Sequence, residues 1–198
     1  MKRLLCFFLL LTFLVLPVSA SEYYYTRQGD SMVKIALHNG VSLSKLRAYN
    51  PAHKTGKLQE GTLIYVPISD LQMRAMEKEV VRLVNAERES RGLAPLRSSL
   101  SVRRVARMKA QDLCDGGYFD HVSPKYGTPF EMLEKQGVRF RCAGENIAMG
   151  QVTAQEVVQA WMNSKGHRAN ILNPNYTKIG VGCADDVKGP YWVQMFVG

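Results

Sequence analysis

Apolar and polar positions change regime several times along the 198-residue chain. Leu4 to Leu16 is an apolar run, with Thr12 its one polar residue, behind Lys2 and Arg3 and closed by Pro17 and Val18-Ser19-Ala20. A positive start, an apolar stretch too short to span a bilayer and a small-residue end predict an export signal over residues 1–20. Tyr23-Tyr24-Tyr25-Thr26 then reads as a short aromatic strand, and Leu63 to Val66 as a second one. Between them, Met32, Ile35 and Ala36 predict a short helix stopped at Asn39-Gly40. A second short helix follows a Ser42 or Ser44 cap, carries Leu46 and Tyr49, and stops at Asn50-Pro51.

From Met76 the period lengthens. Met76, Val80, Leu83 and Val84 recur at helical spacing up to Gly92. Val102, Val105, Ala106, Ala110 and Leu113 mark a second long helix, from about Ser99 to Gly116-Gly117. Thr128-Pro129 with Glu131 opens a third, stopped at Gly137, and Thr153 with Glu156 opens a fourth that runs through Trp161 to about Gly166. Phe140 to Ala148, Lys178 to Ala184 and Tyr191 to Val197 read as strands, with Ile179, Val181 and Cys183 alternating as on a half-buried face. The whole is α+β: a small strand–helix–helix–strand module over 22–67, a short linker over 68–75, and a domain over 76–198 in which helices flank a small antiparallel sheet. Ser69 with Gln72 has the form of a capping box opening the first long helix.

Charge narrows the partners. The formal net charge is +9, of which Lys2 and Arg3 supply two. The rest is spread over both modules rather than gathered in a stripe, which argues against nucleic acid and suits an anionic wall or membrane surface. No segment after residue 20 reads as a transmembrane helix. Beyond Cys6, the cysteines are Cys114, Cys142 and Cys183, an odd number for an exported chain. Cys114 follows Ala106 and Ala110 at helical spacing and reads as a small core residue. Cys142 and Cys183 lie in or beside strands, so their pairing is the expected disulfide.

Residues 22–67 resemble a LysM domain over nearly their whole length. The resemblance rests on Tyr25-Thr26, Gly29-Asp30-Ser31, Ile35-Ala36, Gly40-Val41-Ser42, Leu46, Asn50-Pro51, Gly61 and Ile64-Tyr65-Val66-Pro67. It implies binding of N-acetylglucosamine-containing glycan, peptidoglycan or a chitin-like chain, in a shallow groove. Here the groove maps to Gly29, Asp30, Ser31, Ala52 and His53. Asp30 and Ser31 have an equally good role as helix caps. A single copy implies weak, reversible binding.

The region from about Met76 resembles the secreted bacterial branch of the CAP superfamily (SCP-like domains). The resemblance is carried by Phe119-Asp120-His121, Gly144-Glu145-Asn146-Ile147 and Gly166-His167-Arg168-Ala169-Asn170-Ile171-Leu172, with Trp161 and Tyr191-Trp192. It implies an α-β-α sandwich and a shared His/Glu cleft in which His121, Glu145 and His167 match three of four positions. The fourth, a glutamate shortly after the tryptophan, is here Ser164. Superfamily members bind lipids, ions or partner proteins, so the first expectation is a secreted, wall-associated binding protein whose cleft holds a ligand or a divalent cation such as zinc, with His121 and His167 as ligands. Asn146 and Asn170 suit loop fixation, and Trp161 core packing. The competing expectation is an extracellular hydrolase with Glu145 as general base. Two histidines fall short of the usual three protein ligands of catalytic zinc, and the enzyme reading is the weaker of the two.

Overall fold

The computed structural model describes residues 22–54 and 57–198. Residues 1–20, where an export signal is expected, lie outside them. Strand β1 (Glu22–Tyr25), helix α1 (Met32–His38), helix α2 (Leu43–Tyr49), a 3-10 turn (Pro51–His53) and strand β2 (Leu63–Val66) form the first module. The strands pair antiparallel, Tyr23 opposite Tyr65. Ser31 caps α1 and Ser42 caps α2, each accepting a backbone N–H in the first turn. Ile35, Leu46, Ile64 and Val66 make a small core. The buried Asn50 side chain donates to the carbonyls of Leu46 and Tyr65 (both 2.7 Å) and accepts the Tyr65 N–H (2.9 Å), so the end of α2 is tied to β2.

The second domain runs α3 (Asp70–Glu89), β3 (Arg97–Ser98), α4 (Leu100–Gly116), α5 (Pro129–Lys135), β4 (Ala143–Met149), α6 (Ala154–Asn163), α7 (Lys165–Ile171), β5 (Lys178–Ala184) and β6 (Tyr191–Val197). The sheet order is β3-β5-β6-β4, so β6 is central and β4 is an edge. One face of the sheet packs on α3, α6 and α7 through Val80, Val84, Trp161, Ile179, Trp192 and Phe196. The other packs on α4 and α5 through Val105, Leu113, Met132, Ile147, Val193 and Met195. Burial on both faces explains why β6 is apolar at every position but Gln194 rather than alternating. Helix α4 lies unusually close to β5: a Cβ on Gly182 would stand 2.4 Å from the Ala106 and Arg107 backbone. Among the described residues no helix is long and apolar enough to cross a membrane.

Four expectations change. The Ser69 capping box starts α3 at Asp70, so most of the expected linker is helix and only Pro67 to Ser69 join the modules. The sheet is not wholly antiparallel, because β3, too short to show a period, pairs parallel with β5. The fourth helix does not end at Gly166. Ser164 turns extended (ψ 126°) and a new helix carries Gly166 to Asn170. The disulfide is absent, since Cys114, Cys142 and Cys183 are all free thiols. Cys142 precedes Ala143, which faces Val197 of β6, whereas Cys183 faces Trp192. That is about 17 Å along the strands, with β6 in between, against a Cα separation of about 5.5 Å in a bridge.

The joint between the modules is built on Asp185. Its carboxylate accepts the Ile68 N–H (2.8 Å) and the Tyr65 hydroxyl (3.4 Å), and its carbonyl accepts the Tyr49 hydroxyl. The Tyr49 and Tyr65 rings stack with centroids 5.5 Å apart. Burial pushes the Asp185 carboxyl up to about 6, against the opposing pull of the Ile68 N–H and Lys45. The folded state therefore holds this proton more tightly than the unfolded state. Its stabilising effect is complete below the unfolded value of 3.8 and is lost as pH rises through about 6. Asp185→Asn removes the ionisation. The melting-temperature difference between wild type and variant is expected to favour wild type most at about pH 4 and to move toward the variant by about pH 7. The swing should be about 2 kcal/mol, with roughly 2–4 °C per kcal/mol for a chain of this size. Parallel melting curves across that range would show that Asp185 carries no such load.

Candidate functional site

Alternation along β4 sends Glu145 toward α4 and its neighbours Gly144 and Asn146 toward α7. Gly144 is required where it stands, because a Cβ there would lie 2.4 Å from the Tyr176 hydroxyl. Helix α7 is clamped to this free edge of the sheet. Asn170 donates to the Glu145 carbonyl (3.1 Å) and to Asn146 Oδ1 (2.8 Å), and Asn146 donates to the His167 carbonyl (3.1 Å). The two amides thus fix α7 against β4. Trp161 is buried, and its indole N–H reaches the Ile147 carbonyl at 3.3 Å.

His121 comes from the loop between α4 and α5, and its Nδ1 lies 2.7 Å from Glu145 Oε1. The pair is asymmetric: the His121 side chain is 52% exposed and the Glu145 side chain 2%. Glu145 raises the His121 pKa through this contact, and burial raises that of Glu145 against the opposing pull of His121 and Lys109. Glu145 Oε2 is buried and has no hydrogen-bond partner among the described residues. His167 lies in the first turn of α7, and its pKa is lowered. Burial lowers it, and the nearby His121 charge lowers it further. It makes no hydrogen bond to His121 or Glu145.

Sequence reasoning missed the polar group behind this pair. Lys109 on α4 is fully buried, its Nζ 3.1 Å from the Tyr118 hydroxyl. Tyr118 and Ser123 both donate to Asp112 Oδ2, the latter at 2.6 Å. Burial lowers the Lys109 pKa, offset in part by Glu145, Asp112 and Asp120. The signal was present: Lys109 falls on the apolar stripe of Val102, Ala106 and Leu113, where a charge is out of place. Ser123 is buried and its oxygen already serves Lys125, Tyr126 and Asp112.

The donor set does not fit a zinc ion. Among the described residues no three His, Cys, Asp or Glu side chains converge as ligands. Asp120 also acts on His121 and Glu145, but the three do not converge with His167 as ligands, and His121 and Glu145 spend facing atoms on each other.

In the first module, Asp30 accepts the Tyr24 hydroxyl (2.6 Å) and the Arg27 N–H (2.7 Å), while Ser31 caps α1. Gly29 takes φ 83°, which lets the chain turn into α1. A cavity of about 340 Å³ borders Asp30, lined also by Tyr24, Arg27, Lys34 and His38. Ala52 and His53 lie in the 3-10 turn after α2 and are not part of it.

A βααβ module followed by an α-β-α sandwich with a His–Glu contact at its sheet edge defines a two-module chain of known type. The LysM domain matches residues 24–67 and the cysteine-rich secretory protein family, CAP, matches residues 81–196. The chain belongs to the CAP family and carries a LysM domain. It is 55% identical over 124 residues to YkwD of Bacillus subtilis (strain 168), covering 63% of this chain and 48% of that protein. It is 40% identical over 121 residues to the membrane protein YlbC of the same organism, covering 61% of this chain and 34% of YlbC. The chain thus spans about half or less of the length of the curated relatives it matches. Among solved structures, an extracellular SCP-domain protein of Bacillus anthracis superposes with TM-score 0.61 at 32% identity, over 69% of this chain and 46% of that one. An outer surface protein of Borrelia burgdorferi shares the fold, with TM-score 0.59 at 23% identity, over 63% of this chain and 93% of that one.

Proposed function

We propose that this is an exported, wall-associated binding protein. Its LysM module holds N-acetylglucosamine-containing glycan, and its CAP cleft binds a ligand through His121, Glu145 and His167. The LysM match over 24–67 supports the first part. The Asp30 and Ser31 side chains are spent on internal hydrogen bonds, as are the Gly29 and Ser31 carbonyls and the Asp30 N–H, so the Gly29–Ser31 loop has only its remaining backbone groups to offer glycan. The apolar run at the start of the chain and the basic balance of the remainder suit export to an anionic wall.

One observation carries the cleft reading: a buried carboxylate oxygen, Glu145 Oε2, has no partner among the described residues, beside a half-exposed His121. An unmet buried acceptor costs about 1–3 kcal/mol and is retained where something else supplies the donor. A ligand group with both a donor and an acceptor, such as an amide or hydroxyl, would complement Glu145 and the outer nitrogen of His121. A hydrolase is the less favoured reading. The His121–Glu145 pair could pass a proton, but Ser123 is buried and committed, and burial pushes the Cys114 thiol up to about 12.

Sedimentation of the full chain with insoluble peptidoglycan tests the first part. The protein is expected in the pellet, displaced by soluble N-acetylglucosamine oligomers and unaffected by His121→Ala. Retention in the supernatant, beside a LysM control that sediments, would overturn it. The same incubation is expected to release no soluble wall fragments, and release abolished by Glu145→Gln would establish the hydrolase. Thermal melts with zinc are expected to match those without. Stabilisation by zinc that both His121→Ala and His167→Ala remove would restore the metal reading.

A further inference from the structure

The basic excess of the second domain is gathered in one part of it. Residues 70–107 carry nine Lys and Arg against five Asp and Glu, whereas residues 108–198 carry nine of each. Helix α3, strand β3 and the start of α4 thus hold the whole surplus. They also wall a groove of about 870 Å³, at the edge of the sheet opposite β4 and its Glu145.

The acids of this groove are already neutralised. Glu79 takes a two-point contact from Arg82 (2.8 and 2.7 Å), and the buried Glu77 is held by Arg107 Nε (2.8 and 3.0 Å). Arg74, Lys78 and Arg103 line the same groove, and their side chains make no ion pair or hydrogen bond among the described residues. Three cations without counter-charges in one concavity focus positive potential there. Beneath them lie Leu96 and Val181, 3% and 1% exposed. The floor is therefore closed. It offers no backbone to an added strand and little apolar surface to an acyl chain. Among the described residues lining the groove none is aromatic, so neither bases nor sugar rings find a surface to stack on.

A flexible chain with a regular anion meets these limits. Arg74 and Lys78 stand four residues apart on one face of α3, about 6 Å of rise. Successive phosphorus atoms of a glycerol phosphate chain are separated by as many bonds as alternate Cα atoms, a reach of about 7 Å when extended. Its anions keep step with the two cations, and a guanidinium grips a phosphate through paired N–H donors. We propose that this groove binds a linear polyol phosphate polymer of the wall, with successive phosphodiesters on Arg74, Lys78 and Arg103. The wall-associated reading enters only as the place where such a polymer is met.

The test is fluorescence anisotropy of the full chain with a labelled glycerol phosphate oligomer of about six repeats, enough to span α3 from Arg74 past Lys78. This probe carries no N-acetylglucosamine, so its outcome is independent of the LysM module, and His121→Ala is expected to change nothing. Affinity should fall about tenfold or more in the double variant Arg74→Gln with Lys78→Gln, both exposed positions without partners. The dependence of log affinity on log salt should flatten by about one per cation removed. Arg103→Gln, on the other wall, should act in the same direction and serves should the double variant melt early. Arg139→Gln with Lys188→Gln removes as much charge from exposed positions outside the groove and is expected to leave affinity unchanged. Absence of binding, or an equal loss in that second pair, would overturn the site. Equally tight binding of poly-glutamate or a thymidine oligonucleotide would overturn the choice of polyol phosphate. Vesicles of phosphatidylglycerol that compete as well as the oligomer would assign the cations to a membrane surface instead.

Discussion

Replacing Arg88 with methionine is expected to cost about 3–5 kcal/mol, because three buried carbonyls lose their donor. Arg88 is 1% exposed. Its guanidinium donates to the carbonyls of Ala94 (2.9 Å), Ile171 (2.8 Å) and Asn173 (2.9 Å). These are the turn after α3 and the end of α7, so one side chain joins two elements that are more than eighty residues apart in sequence. Methionine fills a similar volume but leaves three carbonyls without their donor. The consequence reaches the candidate site, because α7 carries His167 and Asn170. Urea unfolding should show the lower midpoint at unchanged slope. A loss under about 1 kcal/mol would mean that water replaces the guanidinium at little cost.

Glu145→Gln is expected to move two histidines in opposite directions. His121 owes its raised pKa first to the Glu145 carboxylate, while burial and Lys109 act to lower it. With a neutral amide in that place the His121 pKa should fall. His121 then carries less charge near neutral pH and repels His167 less, so the lowered His167 value should rise. The sign for stability follows. The His121 contribution is present below its unfolded value near 6.5 and is lost as pH rises through the raised folded value. The variant should lose it throughout, by about 1 kcal/mol, given that His121 is half exposed. Proton NMR titration of the ring hydrogens checks both shifts. An unmoved His121 would mean that the 2.7 Å contact does not hold in solution.

The difference between α4 and α7 shows why sequence legibility is uneven. The α4 stripe of Val102, Val105, Ala106, Ala110 and Leu113 repeats at helical spacing and ends on glycines, so both its face and its end could be read directly. Helix α7 is seven residues long and has one buried apolar residue, Ile171. It is too short to carry a period, and it is held by Asn146, Asn170 and Arg88, whose partners lie far off in the chain. Reading the stretch past Trp161 as one helix to about Gly166 therefore missed the second helix that carries His167. The disulfide expectation failed for a related reason. Two cysteines near strands can pair only when register allows it, and register depends on the long-range order β5-β6-β4.

The site divides along the same line. His121, Glu145 and His167 could be named because each stands in a local motif of this chain. Which of them touch, and which oxygen is left unpaired, depends on the strand edge that β4 presents. Lys109, Asp112 and Tyr118 lie on or just after α4 and read locally as surface or core. They become one buried polar group only when the loop carrying His121 folds over the helix.

The sequence by itself determined the helix caps at Ser31, Ser69, Thr128 and Thr153, the long-helix stripes and strand β6, which depend on contacts within a turn or two of chain and on periodicity, while the candidate His/Glu residues came from the family resemblance. Tertiary structure alone decided the break at Ser164, the free thiols, the Asp185 joint and the pairing of His121 with Glu145. Each of these joins groups from distant segments, and the energy that sets them is burial and hydrogen bonding across the sheet, which no local pattern records.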